Sequence, residues 1–238
     1  MSEQDSVTTV IWPLEVSDAR LDALRDLLSP DEKARADRMR IKSVARDFIA
    51  SRGIARELLA RECGCEPHVV AFRTGKHGKP YLEHPLPPLA FNLSHSGGYC
   101  ALAFGDVSRL GVDIEAVRPT VDKLARNVFT PREVAQYETL DEANKMRAFF
   151  RGWVAKEAYL KATGEGLAGG LKSFELHLTT GPEIKAMSLR GDVAELPKWQ
   201  FRGFDVLDTI VGAIAIQTEN PTIQIGIRFL EGESLAAR

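Results

Sequence analysis

Cysteine is scarce in this chain. Cys63, Cys65 and Cys100 are the three present among 238 residues. The count is odd and no export signal accompanies it, so a disulfide framework is not expected and the thiols should be reduced. Cys63-Gly64-Cys65 lies near His68, but a structural zinc site takes four such ligands and no fourth is evident. Long apolar runs are missing too. The longest, Ile210 to Ile216, is strand-sized, far short of a membrane span. Met1 to Asp5 is polar and acidic, without the basic and apolar segments of a secretory leader. The expectation is a cytoplasmic protein with no membrane partner. Neither charge sign dominates: 31 Lys+Arg against 33 Asp+Glu leave a net charge near −2, which gives no support for nucleic-acid binding. What remains is a globular composition, long enough for one large domain or two small ones.

What is present concentrates in one stretch. Trp153-Val154-Ala155-Lys156-Glu157-Ala158-Tyr159-Leu160-Lys161 contains no Gly or Pro and reads as helix. Trp153, Glu157 and Lys161 fall at i, i+4 and i+8, nearly one line along it. Such a pair is either a surface ion pair beside a half-buried Trp, or part of a metal or acid–base site in which Lys161 awaits a phosphate. The helix alone does not decide.

The surrounding pattern is mixed. Val7 to Trp12 reads as a strand, and Ser17-Asp18 starts a helix through Leu28. Ser29-Pro30-Asp31-Glu32 has the form of a capping box with Pro at the first position. It opens a basic helix carrying Lys33, Arg35, Arg38, Arg40 and Lys42, and a longer helix follows from Val44 to Glu62. Tyr99 to Phe104 and Leu110 to Glu115 look like the two strands of a hairpin. Thr130-Pro131-Arg132-Glu133 repeats the earlier helix start, and the motif helix runs from about Asn144 to Thr163, closed by Gly164. Strands are expected at Ser173 to Leu178, Gln200 to Val206, Ile210 to Gln217 and Thr222 to Phe229.

The chain echoes itself. Ser29-Pro30 and Thr130-Pro131 lie 101 positions apart, and Ile54-Ala55-Arg56-Glu57 lies over Val154-Ala155-Lys156-Glu157 at an offset of 100. The echo predicts an α+β fold of two pseudo-symmetric subdomains, residues 1–106 and 107–238, with a cleft between them.

Asp113 and Glu115 flank Ile114 in Gly111-Val112-Asp113-Ile114-Glu115. Strand alternation puts both carboxylates on one face and sends Val112 and Ile114 into the core. Adjacent like charges need a cation or solvent. The pair is either a strand end entering water or a site for a hard cation such as Mg2+, shared with phosphate oxygens. Glu157 would add a third carboxylate if the motif helix packs alongside. Ser94-His95-Ser96-Gly97-Gly98 offers backbone N–H groups, hydroxyls and an imidazole to a phosphate, or is simply a tight turn. Lys79 sits on the turn Gly78-Lys79-Pro80. The basic residues from Lys33 to Arg56 suit either a phosphate or a solvated face.

Taken in order, Gly78-Lys79-Pro80, Phe91-Asn92-Leu93-Ser94-His95-Ser96, Gly111 to Glu115 and Trp153 to Lys161 resemble the Sfp-type phosphopantetheinyl transferases, over about Ser29 to Leu171. The resemblance implies two similar α+β halves in one monomer with the active site between them. It implies transfer of the phosphopantetheine arm of coenzyme A to a serine of an acyl or peptidyl carrier protein, releasing adenosine 3′,5′-bisphosphate. Asp113, Glu115 and Glu157 would hold Mg2+. Lys161 and Ser94 would meet the pyrophosphate, with Asp113, Glu157 and Lys161 as the catalytic set and Glu157 or a metal-bound water as base. His95 and Lys79 would meet the 3′-phosphate and adenine end, and Lys33 matches a family phosphate contact. The family's next basic position on the Lys33 helix is Ala36 here, so Arg38, Arg46 or Arg52 would supply that charge, Arg52 first and Arg46 second. Trp153 is expected to be a packing wedge. Pro119 to Thr130, with Val121, Leu124, Val128 and Phe129, is the expected apolar ledge for a carrier. Lys123, Arg126 and Arg132 would complement that carrier's acidic surface. A coenzyme A pyrophosphatase and a silent coenzyme A-binding module are the alternatives.

Overall fold

The computed structural model describes residues 6–75, 78–83, 89–119, 122–166 and 170–230. Val121 and the side chain of Lys123 lie outside the described residues. The first half opens with strand β1 (Ser6–Pro13) and helix α1 (Asp18–Asp26), whose first turn is capped by the Ser17 hydroxyl. Helix α2 (Pro30–Asp37) begins in a complete capping box between Ser29 and Glu32, a device worth about 1 kcal/mol. The basic run does not continue as one helix to Lys42. The chain turns after Arg38, and α3 (Lys42–Cys63) folds back to pack on α1 and α2 before ending at left-handed Gly64. A small ribbon, β2 (Phe72–Thr74) with β3 (Pro80–Leu82), leads to β4 (Ala90–Ser96) and β5 (Tyr99–Gly105).

β4 and β5 form the hairpin of this half. Gly97 and Gly98, at φ 60° and 79°, make its two-residue turn, a conformation that needs positive φ at both positions. The Gly-rich loop read from the sequence is therefore only those two residues. Ser94, His95 and Ser96 belong to the strand.

The second half contains β6 (Arg109–Ala116), α4 (Asp122–Val128), α5 (Pro131–Thr139) and α6 (Glu142–Thr163). It continues with β7 (Phe174–His177), β8 (Lys185–Leu189), β9 (Trp199–Leu207), β10 (Ile210–Gln217) and β11 (Gln224–Phe229). The expected β5–β6 hairpin does not form. β5 already has β1 on one edge and β4 on the other, so β6 joins the second sheet, ordered β6-β10-β9. The first sheet runs β11-β1-β5-β4, with β11 returning from the second half to pair parallel with β1.

Side-chain alternation stacks these pieces in four layers. Val10, Trp12, Leu102 and Phe104 face α1 and α3. Val7, Ile11, Ala101 and Ala103 face the other sheet, against Val112, Ile114, Ile214 and Ile216. Val211, Ala213 and Ala215 face α6. The mixed fold with two related halves is thus as expected.

The echo extends to buried ion pairs. α3 and α6 each have 22 residues. The capping-box Glu32 meets Arg56 at 2.6 Å, and the capping-box Glu133 of α5 meets Lys156 at 2.9 Å. Arg56 then donates to the Val70 carbonyl, and Lys156 to those of Leu171 and Phe174. The halves differ at the next residue. Arg20 clamps Glu57 through two bonds, at 2.9 and 2.5 Å, whereas Glu157 faces a cavity.

Gly111 sets how closely α6 approaches β6. A Cβ there would lie 2.0 Å from the Ala158 carbonyl oxygen and 2.5 Å from the Ala162 nitrogen. Both are backbone atoms, so the helix itself would have to move. Gly111→Ala is expected to cost about 3 kcal/mol in chemical denaturation. A variant as stable as the parent would show that the approach is not tight.

Candidate active site

β4 and β6 lie side by side but belong to different sheets. The amides on the facing edge of β6 are satisfied by side chains of β4. Asn92 Oδ1 accepts from Val112 N (2.8 Å), Ser94 Oγ from Ile114 N (3.3 Å) and Ser96 Oγ from Ala116 N (3.1 Å). The alternation Asn-x-Ser-x-Ser thus forms three rungs across the junction of the two halves. Two rungs continue onto acids: Ser94 donates to Asp113 Oδ1 at 2.8 Å, and Ser96 to Glu115 Oε2 at 2.5 Å.

A cavity of about 380 Å³ opens on this seam, lined by Ser94, His95, Asp113, Glu115, Trp153, Glu157 and Lys161 among others. The close approach at Gly111 lets α6 bring Glu157 and Lys161 over the strand that carries Asp113 and Glu115. Lys161 Nζ donates to Asp113 Oδ1 (2.7 Å) and Ser94 Oγ (2.9 Å). Trp153 stacks on Phe149 at 6.1 Å between ring centroids, on the cavity's helical wall. Burial pushes the Asp113 carboxyl above its usual range, with Lys161 opposing. Burial and then the Asp113 charge raise Glu157 in the same direction.

Three carboxylates with one ammonium between them leave negative charge short of compensation. Among the described residues no three His, Cys, Asp or Glu donors converge into a ready metal cage. Asp113 Oδ2, however, is buried without a hydrogen-bond partner, and such an atom is costly unless something else meets it. The donor set fits a hard cation held openly, by a few carboxylate oxygens with phosphate oxygens and waters completing the shell.

The other expected ligands are dispersed. Lys79 Nζ turns onto the end of α6, donating to the carbonyls of Leu110 (2.9 Å), Lys161 (2.6 Å) and Ala162 (3.4 Å). Burial draws its pKa down to about 8, helped by Arg109 and Lys161. Lys33 Nζ reaches the Asp26 carbonyl at 3.2 Å, and Arg46 binds Asp18 and the Val16 carbonyl. None of these three lines the cavity on the seam or the second one. That second cavity, of about 540 Å³, lies in the first half between Ser29, Glu32, Arg35, Phe48, Arg52 and Phe72, among others. Arg52 sits 5.2 Å from the Phe72 ring centroid, and its Nη1 is buried without a partner. Arg35, one of the basic residues of that run, stands over Phe48 on the same wall. Ala36 is core.

The apolar ledge needs correction. Val128 and Phe129 are 1% and 0% exposed and belong to the core under α6. Leu124, on α4, is 45% exposed. Arg126 and Arg132 are exposed as well, with side chains at 80% and 67%, and pair with Glu138 at 3.4 Å and Glu175 at 3.7 Å.

Comparison with known proteins identifies the family of both halves. Residues 109–223 match the family model of the 4′-phosphopantetheinyl transferase superfamily, and residues 14–106 match that of the 4′-phosphopantetheinyl transferase N-terminal region. The chain is 38% identical over 212 residues to the 4′-phosphopantetheinyl transferase HetI of Nostoc sp. strain PCC 7120, covering 87% of this chain and 86% of that one. It is 29% identical over 151 residues to the 4′-phosphopantetheinyl transferase Sfp of Bacillus subtilis strain 168, covering 63% and 66%. It is 29% identical over 211 residues to the human L-aminoadipate-semialdehyde dehydrogenase-phosphopantetheinyl transferase, covering 80% and 67%. With matched halves on either side of the seam, this chain belongs to the 4′-phosphopantetheinyl transferase superfamily and is an enzyme of that kind.

Proposed function

We propose that this enzyme moves the phosphopantetheine arm of coenzyme A onto a serine hydroxyl of an acyl or peptidyl carrier protein, with Mg2+ held by Asp113, Glu115 and Glu157. The supporting observation is the cavity on the β4–β6 seam. It gathers three carboxylates and Lys161, and leaves one buried Asp113 oxygen without a partner. The serine oxygen bonds to the phosphorus that carries the pantetheine arm. The bond from that phosphorus to the bridging oxygen breaks, and adenosine 3′,5′-bisphosphate leaves with both electrons. When bound, Mg2+ supplies charge stabilisation on the diphosphate. Lys161 adds a positive charge beside the same group. Glu157 accepts the serine proton, directly or through water. Arg52, with its free Nη1, and Arg35 suit the 3′-phosphate of the nucleotide end. His95, exposed at the cavity rim, suits the same end.

The test is intact-mass spectrometry of an apo carrier protein after incubation with enzyme, coenzyme A and Mg2+. A mass gain of one phosphopantetheine supports the reading. Hydrolysis of coenzyme A without carrier modification points instead to a pyrophosphatase, and binding without turnover to a silent module.

A carrier with an acidic surface would meet Leu124, Arg126 and Arg132. Reversing the two charges together (Arg126→Glu, Arg132→Glu) is expected to raise the carrier KM roughly 5-fold or more and leave the coenzyme A KM unchanged. A carrier KM equal to the parent's removes this docking face. Three unpaired cysteines suit a reducing compartment such as the cytoplasm. Because one chain supplies both walls of the seam, a monomer suffices.

A further inference from the structure

Ser96 stands outside the residues named for metal and substrate. Its hydroxyl has one proton and two lone pairs. The Ala116 amide takes a lone pair at 3.1 Å, and the proton goes to Glu115 Oε2 at 2.5 Å. Ser94 does the same for Ile114 and Asp113, but there Lys161 braces the acid as well. Glu115 has less support. Besides Ser96, its Oε2 meets Arg118 at 3.3 Å, and that arginine side chain is 59% exposed. A contact of this kind holds a carboxylate weakly. Without the hydroxyl, the Glu115 side chain would keep only the contact with exposed Arg118. The carboxylate would sample rotamers pointing into water, and a ligand that has to be ordered on binding weakens the site.

We infer that Ser96 is a positioning residue: its hydroxyl joins the first half of the chain to Glu115 and holds that carboxylate on the metal side of the seam. The inference rests on the proposed metal role of Glu115. It also gives the Asn92-x-Ser94-x-Ser96 alternation a purpose beyond the turn that follows it.

The experiment is titration calorimetry of Mg2+ into the full-length enzyme saturated with coenzyme A, beside thermal unfolding and transfer rates. Ser96→Ala is expected to weaken Mg2+ binding about 10-fold, and to raise the Mg2+ needed for half-maximal transfer by a similar factor. kcat at saturating Mg2+ should stay close to the parent value. Ser96→Thr, which keeps the hydroxyl, should bind Mg2+ as the parent does. Parent-like Mg2+ affinity in Ser96→Ala overturns the inference, as does an equal loss in Ser96→Thr. If Ser96→Ala does not fold, Ser96→Cys fills the same volume with a weak donor, and parent-like affinity there is equally decisive. Absence of Mg2+ binding by the parent enzyme is a separate result: it removes the metal reading, and this inference with it.

Discussion

Asp113→Ala is expected to lower phosphopantetheine transfer on the order of 10³-fold while the protein stays folded. The side chain is 8% exposed, and its Oδ1 is bound by Ser94 and Lys161 while Oδ2 has no partner. A carboxylate in that setting is a burden on the metal-free fold, because burial disfavours its charged form. The sign follows from its raised folded pKa. Between the ordinary carboxyl pKa and the raised one, the folded state binds more protons than the unfolded state. The contribution of Asp113 to stability therefore falls as pH rises through that window. Removing the carboxylate relieves this cost, and Lys161, 28% exposed, can turn its ammonium to water. The variant should therefore unfold near the parent temperature in the absence of Mg2+. Rates read by carrier mass and unfolding read by circular dichroism separate the two effects. Normal turnover in the variant would sink the metal assignment, and a collapse of the unfolding transition would make Asp113 a structural residue first.

The second large effect lies one residue before Glu157. Lys156 and Glu133 are both fully buried, 2.9 Å apart. Glu133 also receives the amides of Thr130 and Leu176, so the pair ties α5, α6 and β7 together. Lys156→Met keeps most of the volume but leaves a buried carboxylate without its cation. Breaking such a pair costs about 3–5 kcal/mol. For a chain of this length that corresponds to a fall of roughly 10 °C in Tm. Lys156→Met with Glu133→Gln removes the stranded charge and should recover part of the loss. A single variant that melts with the parent would mean that the pair contributes nothing.

Much of this was legible because its causes are local. Capping boxes at Ser29 and Thr130, the glycine stop at Gly164 and the 100-residue offset are properties of short stretches, and they reappear as paired helices, α3 and α6 at 22 residues each. The alternation Val112-Asp113-Ile114-Glu115 was readable for the same reason. The misreadings share another cause: each depended on which neighbour was already in place. β5 and β6 look like a hairpin until both edges of β5 are seen to be taken. Val128 and Phe129 look like a ledge until α6 covers them. The surroundings of Lys79 were hidden for the same reason, since its ammonium meets helix carbonyls supplied by residues some eighty positions later. Nothing in the helix sequence marks Lys156 as buried, because its partner Glu133 lies on α5. Ser96 left a faint signal, the Asn-x-Ser-x-Ser alternation, which acquires meaning only when β6 lies alongside.

The pairing of β11 with β1 has a consequence for how the molecule comes into being. Ser6 aligns with Gln224 and Ile11 with Phe229, so the last described strand to be synthesised docks on the first. Loop closure over nearly the whole chain is entropically slow, and contacts of such long range delay folding. On the ribosome, β1 must therefore wait with one edge open until the second half has emerged. During that interval the edge is a template for any other extended chain. Translation past β11 thus acts as the timing step for the first sheet, and a pause before Gln224 would leave a nascent chain with its helices formed and one strand edge unguarded.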